Sequence, residues 1–429
     1  MKIIIVSNSP WRNENSFGNS FSNIFEGIDN LEIANIYCKY GMPQNNCVSR
    51  YFQITEKSLI NGFLKGKAKG KEVIPENTKQ ETEDGEVAFN KIKKHKNIFM
   101  YWARGLVWKI CKPVSKELVE FIDDFKPDLL FIPVYYSYYI HDINAFILKH
   151  CNIPALGYVS DDVYTLRQFS FSPFFWIDRI LMRRKIARVF SWCKTVYVIS
   201  DIQKREYSEI FGDKFEVLTK CADFSDENRP LAKIHILPYK ILYAGNVSKG
   251  RYKIILSLAK TIEEVNKDGV KFSLDIYTNT ALTEKQKNKL SANTATSLHP
   301  PVGYEEIKKI QEESDILLHA EAFDLRERLA VHQSFSTKIV DYLASNRCIL
   351  AIGDKSCSSI DYFIQNKCGA VADSKDKIVD VLLDLYNYPE KMDNYQNAAW
   401  HSGKMHHQRT VMQKNLYDNI VKTVEETGR

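Results

Sequence analysis

The stretch Gln333-Ser334-Phe335-Ser336-Thr337-Lys338-Ile339-Val340-Asp341-Tyr342-Leu343-Ala344-Ser345-Asn346-Arg347 runs directly into Cys348-Ile349-Leu350-Ala351-Ile352. The hydrophobic period changes between the two. Ile339, Val340, Leu343 and Ala344 have the spacing of one helix face, whereas Cys348–Ile352 is a continuous apolar run of strand length. Ser334 or Ser336 is the expected N-cap of the helix. A helix N-terminus offers N–H groups and a partial positive charge to an anion, and hydroxyls and Lys338 add donors beside it. A capped helix with an exposed lysine would carry the same residues, so the context must separate the two readings.

Outward from that stretch, short apolar runs alternate with longer amphipathic segments. Expected strands are Lys2–Ser7, Leu31–Tyr37, Leu129–Pro133, Ala155–Val159, Thr195–Ile199 and Glu216–Leu218. A second series comprises Ile241–Ala244, Phe272–Tyr277, Ile316–His319, Cys348–Ile352 and Gly369–Ala372. Alternation of this kind predicts two doubly wound α/β domains. With 429 residues, two domains also fit the usual size of roughly 100–200 residues each. The Pro- and charge-bearing segment Ser225–Tyr239 reads as a linker, with the division near Arg229–Pro238. The first domain is then 1–229, the second 238–400, and 401–429 a helix returning to the first. Lys65–Lys71 and the acidic Glu81–Glu86 read as a surface loop within a basic insertion near 60–112.

Composition excludes several classes. Hydrophobic residues make up 44% and charged residues 26%, ordinary globular values. No run approaches the roughly 20 apolar residues of a membrane span. The N-terminal Lys2–Ser7 segment is too short for a signal peptide, so the expected compartment is the cytoplasm, including the inner face of its membrane. The nine cysteines are scattered without metal-ligand spacing, which implies reduced thiols and no structural metal. The net charge of +6 is too mild to imply nucleic-acid binding. Positive charge is nonetheless concentrated in two segments. Lys91–Lys112 carries Lys91, Lys93, Lys94, Lys96, Arg104, Lys109 and Lys112 among Phe99, Tyr101, Trp102 and Trp108. Asp178–Lys194 adds Arg179, Arg183, Arg184, Lys185 and Arg188. Basic amphipathic helices with aromatics suit an anionic membrane surface; a core-facing aromatic stripe with a solvated basic side fits them equally.

Other segments could carry chemistry. Ile241–Ala244 leads into Gly245-Asn246-Val247-Ser248-Lys249-Gly250-Arg251, a strand followed by a basic turn that could bind a diphosphate. Ser16-Phe17-Gly18-Asn19-Ser20 follows the first strand, and Gly18 would let backbone approach a ligand closely. Ala155–Val159 ends in Asp161-Asp162, and strand C-termini face the ligand crevice of open α/β sheets. Either carboxylate could orient or deprotonate a hydroxyl, or cap the following segment. His319, Glu321, Arg326, Glu327, Arg328 and His332 form a charged loop just before the Gln333 stretch that would border a bound ligand, although individually each reads as solvated surface.

Together, in order, these segments resemble glycosyltransferase family 4, a retaining group with the GT-B fold. The resemblance is specific over Ile241–Ala372 and loose before it. It implies two Rossmann-like domains facing a cleft, with the second binding a nucleotide-sugar donor, a UDP-sugar in preference to a GDP-sugar, and no further cofactor or metal. Asp341 falls where the family carries a Glu for the donor ribose. Gln333 and Asn346 depart from a second Glu and a Gly, and Asn246 replaces the first diphosphate cation. The resemblance places the donor against Gly18, Asn19, Gly245, Asn246, Lys249, Arg251, Tyr277, Val302, Gln333, Ser334, Ser336, Thr337, Lys338 and Asp341. It gives catalytic roles to Lys338 and Arg251, and to Asp161 or Asp162 on the acceptor side. The implied acceptor is a hydroxyl of a glycan or a lipid-linked sugar, as in polysaccharide assembly. The departures leave two alternatives: a non-catalytic nucleotide-sugar-binding subunit, and a sugar-nucleotide epimerase on the same fold.

Overall fold

The computed structural model describes residues 1–75 and 98–428. Lys91, Lys93, Lys94, Lys96 and the acidic 81–86 run lie outside them. Two compact units result: Met1–Leu166 with Ser170–Thr219 and Val411–Arg429, and Lys220–Thr410 with Arg167–Phe169. The division falls at Thr219/Lys220, ahead of the 229–238 segment. That segment docks on the second unit: Arg229 donates to Asn346 Oδ1 at 3.0 Å, and Asn346 donates to the Pro230 carbonyl at 2.6 Å.

Among the described residues the first unit holds eight strands: β1 (Lys2–Ser7), β2 (Glu32–Tyr37), β3 (Arg50–Ile54), β4 (Gly70–Val73), β5 (Leu129–Pro133), β6 (Ala155–Val159), β7 (Cys193–Val198) and β8 (Phe215–Val217). They form one sheet in the order β4-β3-β2-β1-β5-β6-β7-β8. All neighbours are parallel except β3 and β4. β1 shows why apolar runs become buried strands here. Ile4 and Val6 enter one core and Ile3 and Ile5 the other, because successive side chains leave opposite faces of a strand. The C-terminal helix Arg409–Glu425 completes the second of these cores with Leu416, Ile420 and Val424. Their four-residue spacing puts them on one face, and each contributes about 1.5–3 kcal/mol by burial.

The second unit holds β9 (Tyr239–Ala244), β10 (Phe272–Tyr277), β11 (Thr296–His299), β12 (Ile316–Ala320), β13 (Cys348–Ile352) and β14 (Ala370–Ala372). The order is β11-β10-β9-β12-β13-β14, parallel throughout. In both sheets the order reverses once, between β1 and β5 and between β9 and β12. Loops leaving the C-terminal ends of those central strands border the crevice in which α/β sheets bind ligands.

Three strands escaped sequence reading: β3, β4 and β11. All are short and hold few apolar residues in a row, so no long apolar run marks them. β4 also narrows the surface loop expected at Lys65–Lys71 to the exposed residues between the helix ending at Lys65 and the strand starting at Gly70. The helix Glu56–Lys65 ends at Gly66, and Gly70 already pairs antiparallel with Ile54. Among the described helices none is long and apolar enough to cross a membrane. None of the nine cysteines is in a disulfide, and most of them are buried.

Candidate functional site

At the switch point of the second sheet, three segments converge. β9 ends at Ala244 and delivers Gly245; β12 ends at Ala320 and delivers Glu321; the helix Lys338–Ala344 presents its first residue between them. The Lys338 Nζ donates to the Ala244 carbonyl at 2.8 Å. A Cβ at Gly245 would lie 2.0 Å from that nitrogen. The bare backbone of Gly245 therefore makes the space that the ammonium fills. The side chain as a whole keeps a solvent-exposed flank. Partial burial of its charged end, together with the Arg251 guanidinium, pushes the ammonium down to about 8.

Arg251 opens the helix Arg251–Val265, whose buried face carries Ile254, Ile255, Leu258 and Ile262. Its Nε donates to the Ala320 carbonyl at 3.1 Å, and its Nη2 reaches both Glu321 oxygens at 2.9 and 3.0 Å. Glu321 is 3% exposed. His319 lies 3.6 Å from it, and burial pushes the imidazole down to about 4, so it is neutral at pH 7. Asp341, one turn beyond Lys338, is ion-paired with Lys220. Three cations, Arg251, Lys220 and Lys338, thus meet two carboxylates. The surplus positive charge faces a segment that also supplies Ser334, Ser336 and Thr337, all half-buried.

The expected cap at Ser334 or Ser336 is corrected. The N-cap is Thr337, with helical backbone angles and no side-chain cap bond. The Ser336 N–H is taken by Ser359 Oγ at 3.2 Å, and the Ile339 N–H by the Ser336 carbonyl at 3.0 Å. Six residues, 332–337, separate the short helix Leu325–Val331 from Lys338, and the last of them is already helical in its backbone angles. An anion here would be held chiefly by side-chain cations.

The remaining predicted residues fall in several places. Asn246 is exposed and closes its own turn: its Oδ1 accepts from Ser248 N at 2.7 Å and its carbonyl from Tyr243 Oη at 2.6 Å. Lys249 is exposed beyond it. Gln333 is 1% exposed. Tyr277, at the end of β10, stacks on His299, with ring centroids 4.4 Å apart and planes within 9°. Val302 is half-buried in the loop after β11. Among the described residues, no group of three or more His, Cys, Asp and Glu could hold a metal ion.

In the first unit Gly18 is needed for a different contact than expected. It lies inside the helix Ser16–Phe25, and a Cβ there would be 2.0 Å from the Arg12 carbonyl oxygen. The close approach is made by the chain's own backbone. Asn19 is exposed, and its amide donates to the Asn13 carbonyl at 3.3 Å. Asp162 is committed to its turn. It accepts from Tyr164 N at 3.0 Å and Thr165 N at 2.7 Å, and pairs with the buried Arg179 at 3.0 Å. Asp161 is exposed at the end of the same loop.

Sequence reading set Glu321 aside as solvated surface. Its position immediately after a buried parallel strand was the available signal, the same that drew attention to Asp161 and Asp162. Lys220 carried no signal, because its partner lies far along the chain.

Two parallel-sheet α/β units with these strand orders define the GT-B fold. HepE from Anabaena in complex with UDP matches with a TM-score of 0.61, over 98% of this chain and 100% of that one, at 9% identity. Sucrose-phosphate synthase from Thermosynechococcus elongatus matches with a TM-score of 0.60, over 98% of each chain, at 8% identity. The N-terminal domain of Candida albicans trehalose-6-phosphate phosphatase matches at 0.58 with 12% identity, over 98% of this chain and 97% of that one. No protein-family model matches the sequence, and no curated protein does. Likeness at such identity concerns the fold.

Proposed function

We propose that this protein is a GT-B glycosyltransferase that takes its donor, a UDP-sugar, in the second unit. One observation carries the reading: two cations, Lys338 and Arg251, converge at the switch point around the side-chain-free Gly245. A diphosphate leaving group needs such charge where its own develops. Arg251 spends Nε and Nη2 on Ala320 and Glu321, which leaves Nη1 for a phosphate oxygen. Lys338 would exchange the Ala244 carbonyl for a second oxygen. The stacked Tyr277–His299 pair offers a flat surface suited to a base, and Asp341 is suited to a ribose hydroxyl. HepE has been crystallised with UDP-glucose, and its likeness in fold supports the choice of a UDP-sugar.

The acceptor hydroxyl, on a glycan or lipid-linked sugar, would be oriented by Asp161, because Asp162 is consumed by its turn. Transfer would retain the anomeric configuration, as the family 4 resemblance implies.

UDP is expected to raise the melting temperature, since a ligand that binds only the folded state stabilises it, by about 2.7 kcal/mol at a hundred times Kd. A thermal-shift series with UDP, UDP-sugars and GDP checks this. No shift with any UDP compound would sink the reading. Gly245→Ala separates site from fold. Its Cβ would displace only the mobile end of Lys338, so melting should change by less than about 1 kcal/mol. UDP affinity should fall at least about tenfold, as one charge-assisted contact is worth roughly 1.5–3 kcal/mol. Isothermal titration reads the second quantity.

A further inference from the structure

The helix Pro173–Trp192 buries Met182, Ile186, Val189 and Phe190 in the ordinary way, but its first half departs from the pattern of a surface helix. Its charged Asp178 and Arg179 are buried, whereas Phe174, Ile177, Ile180 and Leu181 are each 45–48% exposed. The inward polar groups are fully employed. Asp178 accepts from Trp102 Nε1 and Tyr136 Oη, both at 2.7 Å, and Arg179 pairs with Asp162. The outward apolar groups have no such use within the unit.

A second helix extends the same surface. Phe99 of Ile98–Cys111 meets Phe174 with ring centroids 5.1 Å apart, and Met100, Leu106 and Ile110 of that helix are 45–57% exposed. The aromatics of these segments therefore divide: Trp108 turns to the core, and the others border an exposed apolar face.

The exposed charges of these two helices are all positive, although Lys185 is paired with the exposed Asp142 of a neighbouring helix. Ile98–Cys111 contains no acidic residue, and the only one in Pro173–Trp192 is the buried Asp178. Arg184 and Arg188 continue the exposed row begun by Phe174, Ile177 and Leu181, at helical intervals, and Lys109 is exposed on the second helix.

We infer that this face docks the protein on a bilayer carrying anionic phospholipid headgroups. The apolar residues enter the acyl boundary, and Arg184, Arg188 and Lys109 lie at the phosphates. The inference concerns the first unit and stands apart from the donor site.

The test is co-sedimentation of the full-length chain with vesicles of equimolar phosphatidylcholine and phosphatidylglycerol, and with phosphatidylcholine alone. The expected result is partition onto the anionic vesicles only, weakened by added salt. Ile177→Glu/Leu181→Glu and Arg184→Glu/Arg188→Glu should each lower partition at least about tenfold, with unchanged melting. Wild-type protein that stays in the supernatant overturns the inference. So does loss on charge reversal with the apolar variant unaffected, since insertion then plays no part. Sedimentation velocity supplies the remaining arm: a dimer that the apolar variant splits would assign the face to a second copy instead.

Discussion

Replacing Lys338 by Ala is expected to lower sugar transfer about 100- to 1,000-fold while the protein stays folded. The loss should be large because the ammonium is already desolvated. Held over Gly245 against the Ala244 carbonyl, it has little water to shed when a diphosphate arrives. A charge in that setting interacts more strongly with a developing negative charge than one in bulk solvent. Purified Lys338→Ala protein with near wild-type transfer would remove the residue from the reaction.

The pH dependence follows from the same group. Burial and Arg251 push the ammonium down to about 8. It is charged below that pH and neutral above it, so kcat/KM for the donor should fall as the pH rises through about 8. Stability of the ligand-free protein should move the opposite way. The unfolded chain keeps this proton to about pH 10.4, so it binds more protons than the native state between about 8 and 10, and stability rises with pH across that window. Lys338→Arg should abolish the falling limb, because a guanidinium stays charged throughout. Profiles of kcat/KM and of melting temperature against pH measure the two effects separately.

The largest stability effect is expected at Glu321. Glu321→Ala strands the Arg251 guanidinium, which the carboxylate now meets with both oxygens, in a site where Glu321 itself is 3% exposed. Breaking such a pair from one side costs about 3 kcal/mol or more. Arg251→Met/Glu321→Met should recover most of the loss, because neither partner is then left buried and unpaired. Denaturant unfolding of the two single variants and the double variant reads this out. Equal stability of Glu321→Ala and wild type would mean that solvent already satisfies Arg251. The double variant should remain unable to bind UDP, which separates the folding role of the pair from its role toward the donor.

How much of this could be read from the chain depended on the distance over which each signal acts. The strands β1, β5, β9, β12 and β13 announce themselves as apolar runs, because both faces of a parallel sheet are covered. β3, β4 and β11 do not, because what makes them strands is a neighbour to pair with. Lys338 and Arg251 stood out because each follows a recognisable strand or helix signal within a few residues. Glu321 looked like one charge in a charged loop, and its burial depends on Arg251, which arrives from a separate element.

The sequence by itself therefore determined two parallel α/β units, and it put forward the stretch Gln333–Ile352 as a candidate site with Gly245 and Arg251 as its companions. These rest on periodicity and strand-end position, which are local properties. Only the tertiary structure decided that Thr337 begins the helix at Ser334–Lys338, that Gly245 houses an ammonium, and that Gly18 is occupied by Arg12. It likewise decided that the first half of Pro173–Trp192 buries Asp178 and Arg179 and exposes Phe174, Ile177, Ile180 and Leu181. Amphipathic spacing states that a helix has two faces; which face turns inward is set by the partners that Asp178 and Arg179 find across the unit.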